Sequence, residues 1–332
     1  MQRVSERSTG GAPRLRRDNG VHFLAGEQPK VATKPSVRSK NSASGALGGS
    51  PSRTVSSHLT KEEGVKIIQF ISENGERLYG AIDSVEPGRA RVIEGDILGA
   101  FSLTERSAEI RKILPPVRPP NILALGFSYG KHAGETESRP PESPVLFIKG
   151  TNSLLGPGET ILLPKAGPDE VDFEAELAVV IGKRAKNVSP GEALEYVLGY
   201  TCGNDVSARD WQMVKQKKQW ARGKSFDTFC PLGPCLVTKD EIPDPNNLRI
   251  RSILNGRVMQ DSSTSDMLFS VADIVSDLSR SMTLLPGTVI MTGTPEGVGF
   301  VRKPPVFLRH GDIITIDIER LGALTNPVER EP

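Results

Sequence analysis

Two glutamates stand two residues apart in the apolar stretch VDFEAELAVVIGK at 171–183. Side chains alternate between the two faces of a strand, so Glu174 and Glu176 should project from the same face. Neighbouring carboxylates repel each other, so either one of them is protonated or a cation lies between them. Hard divalent cations such as Mg²⁺ prefer oxygen ligands of this kind. The alternative is the solvated face of an edge strand, because glutamates are mostly exposed in proteins.

A third carboxylate would favour the metal site, and the stretch GYTCGNDVSARDWQ at 199–212 offers two candidates. Asp205 follows a predicted strand, and Asp210 comes five residues later. An aspartate in this setting also fits a helix N-cap or an Asx-turn, so both interpretations stay open. The basic residues that follow favour a lid over an anionic small molecule, since the net charge of +2 gives no strong attraction to nucleic acid.

A histidine with a nearby glutamate supplies the candidate base. His132 and Glu135, in GFSYGKHAGE, are three residues apart and would meet on a helical turn. Such a pair can take a proton directly or through a water molecule. The alternative is an ordinary loop histidine. Further along, Thr292 and Thr294 lie where a predicted strand runs into a glycine-rich turn. These two threonines could hold a carboxylate of a ligand, and the alternative is a tight turn without a binding role.

The elements that must position these side chains are predicted to be mostly strands. Apolar runs of strand length recur after residue 120, in NILALG, PVLFIKG, ELAVVIGK, TVIMTG and DIITIDI. Helices are predicted at 105–113, 189–197 and 271–282, the last from apolar residues at helical spacing. Because strands outnumber helices and do not alternate with them, the fold class is predicted to be α+β.

Composition divides the chain into three segments. Residues 1–62 are basic and rich in Ser, Gly and Pro, which fits a disordered tail or a mitochondrial transit peptide. Residues 63–118 contain short alternating strands and an Asn-Gly hairpin turn, and predict a small β-rich N-terminal domain. Residues 119–328 form the main domain. No apolar run reaches the roughly 18 residues of a membrane span. Three cysteines without C-x-x-C spacing suggest a reducing compartment.

The motifs occur in one order, and the chain from about 119 to 328 resembles the fumarylacetoacetate hydrolase superfamily. The stretches that carry the resemblance are SYGKHAGE, VDFEAELAVVIGK, GYTCGNDVSARDWQ, GKSFDTFCPLGP and TGTPEGVGF. The resemblance implies an α+β mixed β-roll, usually a homodimer, that acts on a small-molecule 2-oxo acid. Neither a nucleic acid nor a membrane is expected as a partner.

The resemblance also implies roles for individual residues. The metal would be Mg²⁺, with Mn²⁺ or Ca²⁺ as alternatives, held by Glu174, Glu176 and Asp205. The implied catalytic residues are His132, Glu135 and Lys224. The implied substrate contacts are Arg209, Gln212 and Thr294.

Within the superfamily, the stretches NDVSARDWQ and RKPPVFLRHGD look most like a subgroup associated with mitochondrial tautomerisation of oxaloacetate. An Mg²⁺-dependent oxaloacetate keto–enol tautomerase in mitochondria is therefore implied. The alternatives are an acylpyruvate hydrolase, an oxaloacetate decarboxylase or an inactive scaffold protein, and a cytoplasmic location. The chain departs from the family pattern at Ser128 and at Lys149-Gly150. Leu125 replaces a fourth metal aspartate of the founding hydrolase, which argues against that enzyme itself.

Overall fold

Short apolar runs form most of the regular secondary structure of the described residues, as strands. The structure is a computed structural model that describes residues 65–82, 86, 88–135 and 139–332, with only the backbone for Ala133 and Glu135. In chain order the strands are β1 Lys66–Ser72, β2 Arg77–Ile82, β3 Arg89–Gly95, β4 Phe101–Leu114, β5 Ile122–Gly126, β6 Val145–Lys149, β7 Leu154–Leu155, β8 Ile161–Leu163, β9 Val171–Asp172, β10 Ala175–Ile181, β11 Val197–Asn204, β12 Ser207–Ala208, β13 Cys230–Thr238, β14 Arg249–Leu254, β15 Arg257–Ser263, β16 Val289–Met291, β17 Ile313–Ile318 and β18 Gly322–Arg330.

Eleven strands of the described residues form one large sheet. Its order is β2-β3-β4-β1-β13-β11-β10-β16-β5-β6, with β7 paired to β13. A second sheet runs β15-β14-β17-β18-β8, and β9 pairs with β12. Strand β10 lies inside the large sheet, antiparallel to β11 on one side and to β16 on the other. Glu176 is therefore not on an edge strand, and the solvated-edge interpretation of the acidic pair is wrong.

The large sheet is buried on both faces around β10. Leu177 and Val179 join a core that includes side chains of the second sheet, such as Ile316. Ala178 and Val180 belong to a separate core on the opposite face. All seven residues of β10 are buried, as expected for a strand with both faces covered. Any charged group on this strand must therefore find its partners inside the protein.

Helices are few. The helices are α1 Gly130–Glu135 and α2 Val271–Ser281, with a π-helix at Asp210–Lys215 and short 3₁₀ turns at Thr151–Ser153, Ala193–Tyr196, Lys239–Glu241 and Thr264–Asp266. The prediction of α2 is confirmed, and a capping box formed by Ser270 and Asp273 begins this helix. Among the described residues no helix is long and apolar enough to cross a membrane. The α+β class predicted from the sequence is confirmed.

Two predicted helices are wrong. Residues 105–113 lie within β4, whose pairing with both β1 and β3 outweighs the preference of Glu, Arg, Ala and Lys for helix. Residues 189–197 form only the 3₁₀ turn Ala193–Tyr196, because the chain enters β11 at Val197. In both places sheet pairing decides the local structure.

The segment predicted to be a small N-terminal domain supplies β1 to β4 of the large sheet. Strand β1 pairs with β13, with Lys66 opposite Val237, and the Asn-Gly hairpin is confirmed by the positive φ of 81° at Gly75. Ile68 of β1 shares a core with Leu177 of β10. The domain boundary at 118 stays a prediction, and the predicted tail at 1–62 lies outside the described residues.

Replacing Ile68 tests whether this segment folds with the rest. Ile68→Ala removes a fully buried side chain and should lower the free energy of unfolding by about 2–5 kcal/mol. Because its core extends to β10, we expect one cooperative transition to shift as a whole in calorimetry. The control is Ile148→Ala, at a side chain 55% exposed, with an expected effect within about 0.5 kcal/mol. Two transitions of which only one shifts would instead support an independent N-terminal domain.

Candidate metal and active site

Three carboxylates converge where β10 begins and β11 ends. Glu176 belongs to β10, Glu174 precedes that strand, and Asp205 follows β11, its antiparallel neighbour. One carboxylate oxygen from each residue lies within 4.8 Å of the other two, and all three residues are buried. The structure therefore brings together the three residues predicted as metal ligands. Asp210, the other candidate, is instead paired with Lys215.

Side-chain acceptors fix the backbone at the entrance to β10. The N–H of Glu174 donates to Asn204 Oδ1 and the N–H of Ala175 donates to Gln260 Oε1, each over 3.0 Å. Buried backbone donors need such partners where sheet pairing is interrupted. Gln260 also donates to Thr294 Oγ1 over 2.8 Å, so the predicted substrate contact is tied to the same network.

Buried cations compensate two of the three carboxylates. Lys224 Nζ donates to Glu174 over 2.8 Å and to Asp205 over 2.6 Å, and Lys149 Nζ donates to Asp205 over 2.5 Å. At Glu174, burial raises the pKa, but the charges of Lys224 and then Arg209 outweigh burial and lower it to about 2. Lys149 was not among the site residues predicted from the sequence. A lysine at the end of an apolar strand was the available signal, because it needs a buried acidic partner.

Glu176 is the least compensated carboxylate. Its Oε2 accepts a hydrogen bond from the N–H of Gly293 over 2.9 Å, whereas its buried Oε1 has no hydrogen-bond partner among the described residues. Burial, followed by the charges of Asp205 and Glu174, raises the pKa of Glu176 well above its usual value. A divalent cation would relieve this repulsion. The residues present therefore fit a bound metal with oxygen ligands.

Arg209 connects the acidic cluster to another buried carboxylate. Its Nη2 lies 2.7 Å from Glu174 Oε1 and 2.8 Å from Asp172 Oδ2. Its Nη1 donates to Gln212 Oε1 over 2.8 Å, and its guanidinium lies 4.2 Å from the centre of the Phe300 ring. The two predicted substrate contacts are thus adjacent. Asp172 was missed by the sequence analysis, although the alternation D-x-E-x-E at 172–176 placed it beside the two glutamates.

Six of the nine predicted site residues line one cavity of about 630 Å³. Its polar wall contains His132, Glu174, Arg209, Gln212, Lys224 and Thr294. Its apolar wall includes Leu125, Phe127, Phe147, Trp220 and Phe300. A cavity of this size, mostly apolar with a few convergent polar groups, is typical of a small-molecule site. The wall of this cavity therefore combines one carboxylate of the acidic cluster, a base candidate and two buried cations.

Helix α1 carries the candidate base into this cavity. His132 is only 7% exposed. The chain before and within the helix is attached to the loop at 264–268, since the N–H of Lys131 donates to Asp266 and the N–H of Leu268 donates to the carbonyl of Ser128. The side chain of Glu135 lies outside what the structure describes. The His132–Glu135 pair therefore stays a prediction.

Comparisons with known proteins identify related chains. Residues 121–329 match the family described as fumarylacetoacetate (FAA) hydrolase C-terminal. A fumarylacetoacetate hydrolase domain-containing protein 2 homolog from Dictyostelium discoideum is 50% identical over 227 residues, covering 66% of this chain and 74% of that protein. The mitochondrial oxaloacetate tautomerase fahd2 of Xenopus laevis is 49% identical over 221 residues, covering 67% and 69% respectively.

A solved structure shows the same fold. The 2-hydroxyhepta-2,4-diene-1,7-dioate isomerase from Mycobacterium marinum is 40% identical, with a TM-score of 0.70, over 80% of this chain and 99% of that one. This identity and this coverage confirm the fold that the sequence resemblance implied.

Replacing Glu176 by glutamine tests two effects of its charge, on metal binding and on the stability of the metal-free protein. Glu176→Gln keeps the shape of the side chain but removes a carboxyl group whose ionised form is disfavoured by burial and by Asp205 and Glu174. We therefore expect a higher melting temperature than that of the unaltered protein in EDTA, with a difference that grows as the pH rises. Added Mg²⁺ should stabilise the unaltered protein by about 2.7 kcal/mol at 100 times its dissociation constant, and should not stabilise the variant. Thermal unfolding with and without Mg²⁺ measures both effects, with the exposed Glu195→Gln as control. An unchanged Mg²⁺ response in Glu176→Gln would exclude this metal site.

Two ion pairs with the same N–O distance of 2.5 Å test how burial changes the contribution of a lysine to stability. The Lys149–Asp205 pair is fully buried, whereas the side chains of Lys112 and Glu159 are 50% and 27% exposed. Lys149→Met should cost about 3–5 kcal/mol in urea unfolding of the metal-free protein, because it leaves a buried charge with less compensation. Lys112→Met should cost at most about 1 kcal/mol. Equal losses would contradict a structural role for Lys149 in the cluster.

Proposed function

Because the chain belongs to the fumarylacetoacetate hydrolase family of enzymes, we propose that it interconverts the keto and enol forms of oxaloacetate with a divalent metal ion. One observation carries this proposal: a single cavity is lined by Glu174 of the acidic cluster, by the base candidate His132, and by the buried cations Arg209 and Lys224. The choice of oxaloacetate is supported by the names of relatives that are nearly half identical to this chain.

The metal would be held by Glu174, Glu176 and Asp205. Mg²⁺ is proposed, with Mn²⁺ or Ca²⁺ as alternatives, because all three side chains offer oxygen ligands. When bound, the ion supplies Lewis acidity that polarises the carbonyl group of a 2-oxo acid. Lys149, behind the cluster, keeps Asp205 oriented for this task.

His132 would transfer the proton at C3 of the substrate. In the tautomerisation the C3–H bond breaks, its electron pair forms the C2–C3 double bond, and the carbonyl oxygen gains a proton. His132, on the cavity wall, can accept the proton that leaves C3, and Glu135 is proposed to orient the imidazole ring of His132. Lys224 would place a fixed positive charge beside the oxygen on which negative charge develops.

The remaining polar residues of the wall would hold the substrate. Arg209 and Gln212 are joined by a hydrogen bond and face the cavity together, an arrangement suited to a carboxylate. Thr294, fixed by Gln260, adds a hydroxyl on the same wall. Holding the substrate in one orientation converts proton transfer into a reaction between neighbouring groups, which is itself a large contribution to rate.

Three assays under one set of conditions test the proposal: decay of the enol absorbance of oxaloacetate, release of CO₂, and cleavage of an acylpyruvate. We expect accelerated enol decay that depends on Mg²⁺ and that falls by about 10²–10⁴ in His132→Gln. The exposed His310→Gln is the matched control and should keep full activity. Rapid acylpyruvate cleavage without an effect on the enol would favour the hydrolase, and CO₂ release alone would favour the decarboxylase. A protein without any of the three activities would favour a scaffold.

A mitochondrial location and a homodimer are part of the same proposal. The location is supported by the word mitochondrial in the names of several relatives. The homodimer is supported by the family resemblance. Imaging of the full chain in cells and sedimentation of the purified protein would test the two statements separately.

A further inference from the structure

Two lysines at the rim of the cavity have no role in the mechanism above. Lys218 and Lys303 both line the cavity and both are exposed to solvent. Among the described residues, no carboxylate lies within 4.0 Å of either ammonium group. We call this pair the rim lysines.

Arg209 and Lys224, two cations of the cavity wall, are already engaged by buried carboxylates, since Arg209 also pairs with Asp172 and Lys224 also pairs with Asp205. Glu174 is the one carboxylate among its described lining residues, and it is already paired with Lys224 and Arg209. The charges of the rim lysines are therefore left for a ligand. A cleft lined by one sign of charge attracts ions of the opposite sign.

Lys218 lies on a segment that begins and ends in the active site. The segment starts at Arg209, passes through the π-helix Asp210–Lys215 and returns to the site at Lys224. Lys217 and Lys218 have φ angles of 51° and 65°, a backbone conformation that side-chain-bearing residues rarely adopt. π-Helical turns are frequent at functional sites, and unfavourable backbone angles cluster there. With this conformation, Lys218 lies at the solvent-exposed edge of the cavity.

Trp220 fixes this segment two residues after Lys218. Its indole packs edge-to-face against Phe127 and Phe147, at ring-centre distances of 5.2 Å and 5.6 Å. It also lies directly against Gly126, where an added Cβ would come within 2.2 Å of the ring. The segment is thus held at a closely packed point rather than free to move away from the cavity.

The loop that carries Lys303 shares an anchor with this segment. The N–H groups of Gly299 and Phe300 donate to the two oxygens of Asp172 over 2.8 Å and 3.0 Å. Arg209 donates to the same carboxylate through Nε and Nη2. One fully buried aspartate therefore ties together the starts of the two segments that carry the rim lysines.

We propose that Lys218 and Lys303 form a second carboxylate site, which selects dicarboxylic over monocarboxylic 2-oxo acids. This inference rests on the proposed function, in which the 2-oxo acid group lies at the acidic cluster. The second carboxylate then faces the rim lysines, and the carbon atoms between the two ends contact apolar wall residues such as Phe147 and Trp220. A cavity of about 630 Å³ provides room for both ends of such a molecule.

Binding of two acids of equal length tests this site without relying on turnover. Calorimetric titration of the Mg²⁺-loaded protein compares 2-oxoglutarate, which has two carboxylates, with 2-oxopentanoate, which has one. We expect the diacid to bind about 10-fold more tightly, the effect of one charge-assisted contact. In the double variant K218Q/K303Q this ratio should fall to near one while the affinity for the monoacid stays the same.

Lys217→Gln is the matched control, because Lys217 is exposed, adjacent and also at positive φ but does not line the cavity. It should keep the 10-fold ratio. Equal affinity of the two acids for the unaltered protein, no binding of either acid, or an unchanged ratio in the double variant would overturn the proposal. An equal loss in Lys217→Gln would also overturn it, by showing general attraction between charges.

The enol-oxaloacetate assay on the same samples separates this inference from the proposed function. If the protein does not accelerate enol decay but loses its diacid preference in the double variant, the second carboxylate site stands and the tautomerase proposal fails. If the enzyme is active and its diacid preference survives in the double variant, the second carboxylate site fails alone.

Discussion

The site is organised by the need to bury three carboxylates within 4.8 Å of one another. Ionised groups removed from water are stable only where other charges or hydrogen bonds replace the solvent. Here the replacements come from distant parts of the chain: Lys149 at the end of β6, Arg209 after β12 and Lys224 before β13. The fold therefore brings together acids and cations that would have no reason to meet otherwise.

This constraint extends beyond the cluster itself. Arg209 compensates the negative charge of Glu174, but its own buried positive charge also needs a partner. The fully buried Asp172 is that partner. Asp172 in turn holds the backbone of Gly299 and Phe300, and Phe300 lines the cavity. A chain of paired charges thus reaches from the centre of the large sheet to the loops around the cavity. The loops are positioned by the same electrostatic balance that makes the centre suitable for a metal ion.

Site residues could be predicted from the sequence where they are close together in the chain. The alternation of Glu174 and Glu176 indicated a shared face, and the order of the motifs indicated the family. Residue spacing alone left Asp205 and Asp210 open, and the family resemblance indicated Asp205. The physical reason is the pairing of β10 with β11, which local spacing does not contain. Lys149 was missed for the same reason, since its partner is 56 residues away. Sheet pairing also explains the wrong helix at 105–113, where residues that favour helix lie between two strands.

The contact between Gly126 and Trp220 has a consequence for the family as a whole. An indole that fits only against a residue without a side chain makes the two positions dependent on each other. A larger residue at the position of Gly126 would collide with this ring unless the ring moves or a smaller side chain replaces it. Substitutions at these two positions should therefore covary, and the pair could serve as a marker, readable from sequence alone, of how deep the cavity is in each branch of the family.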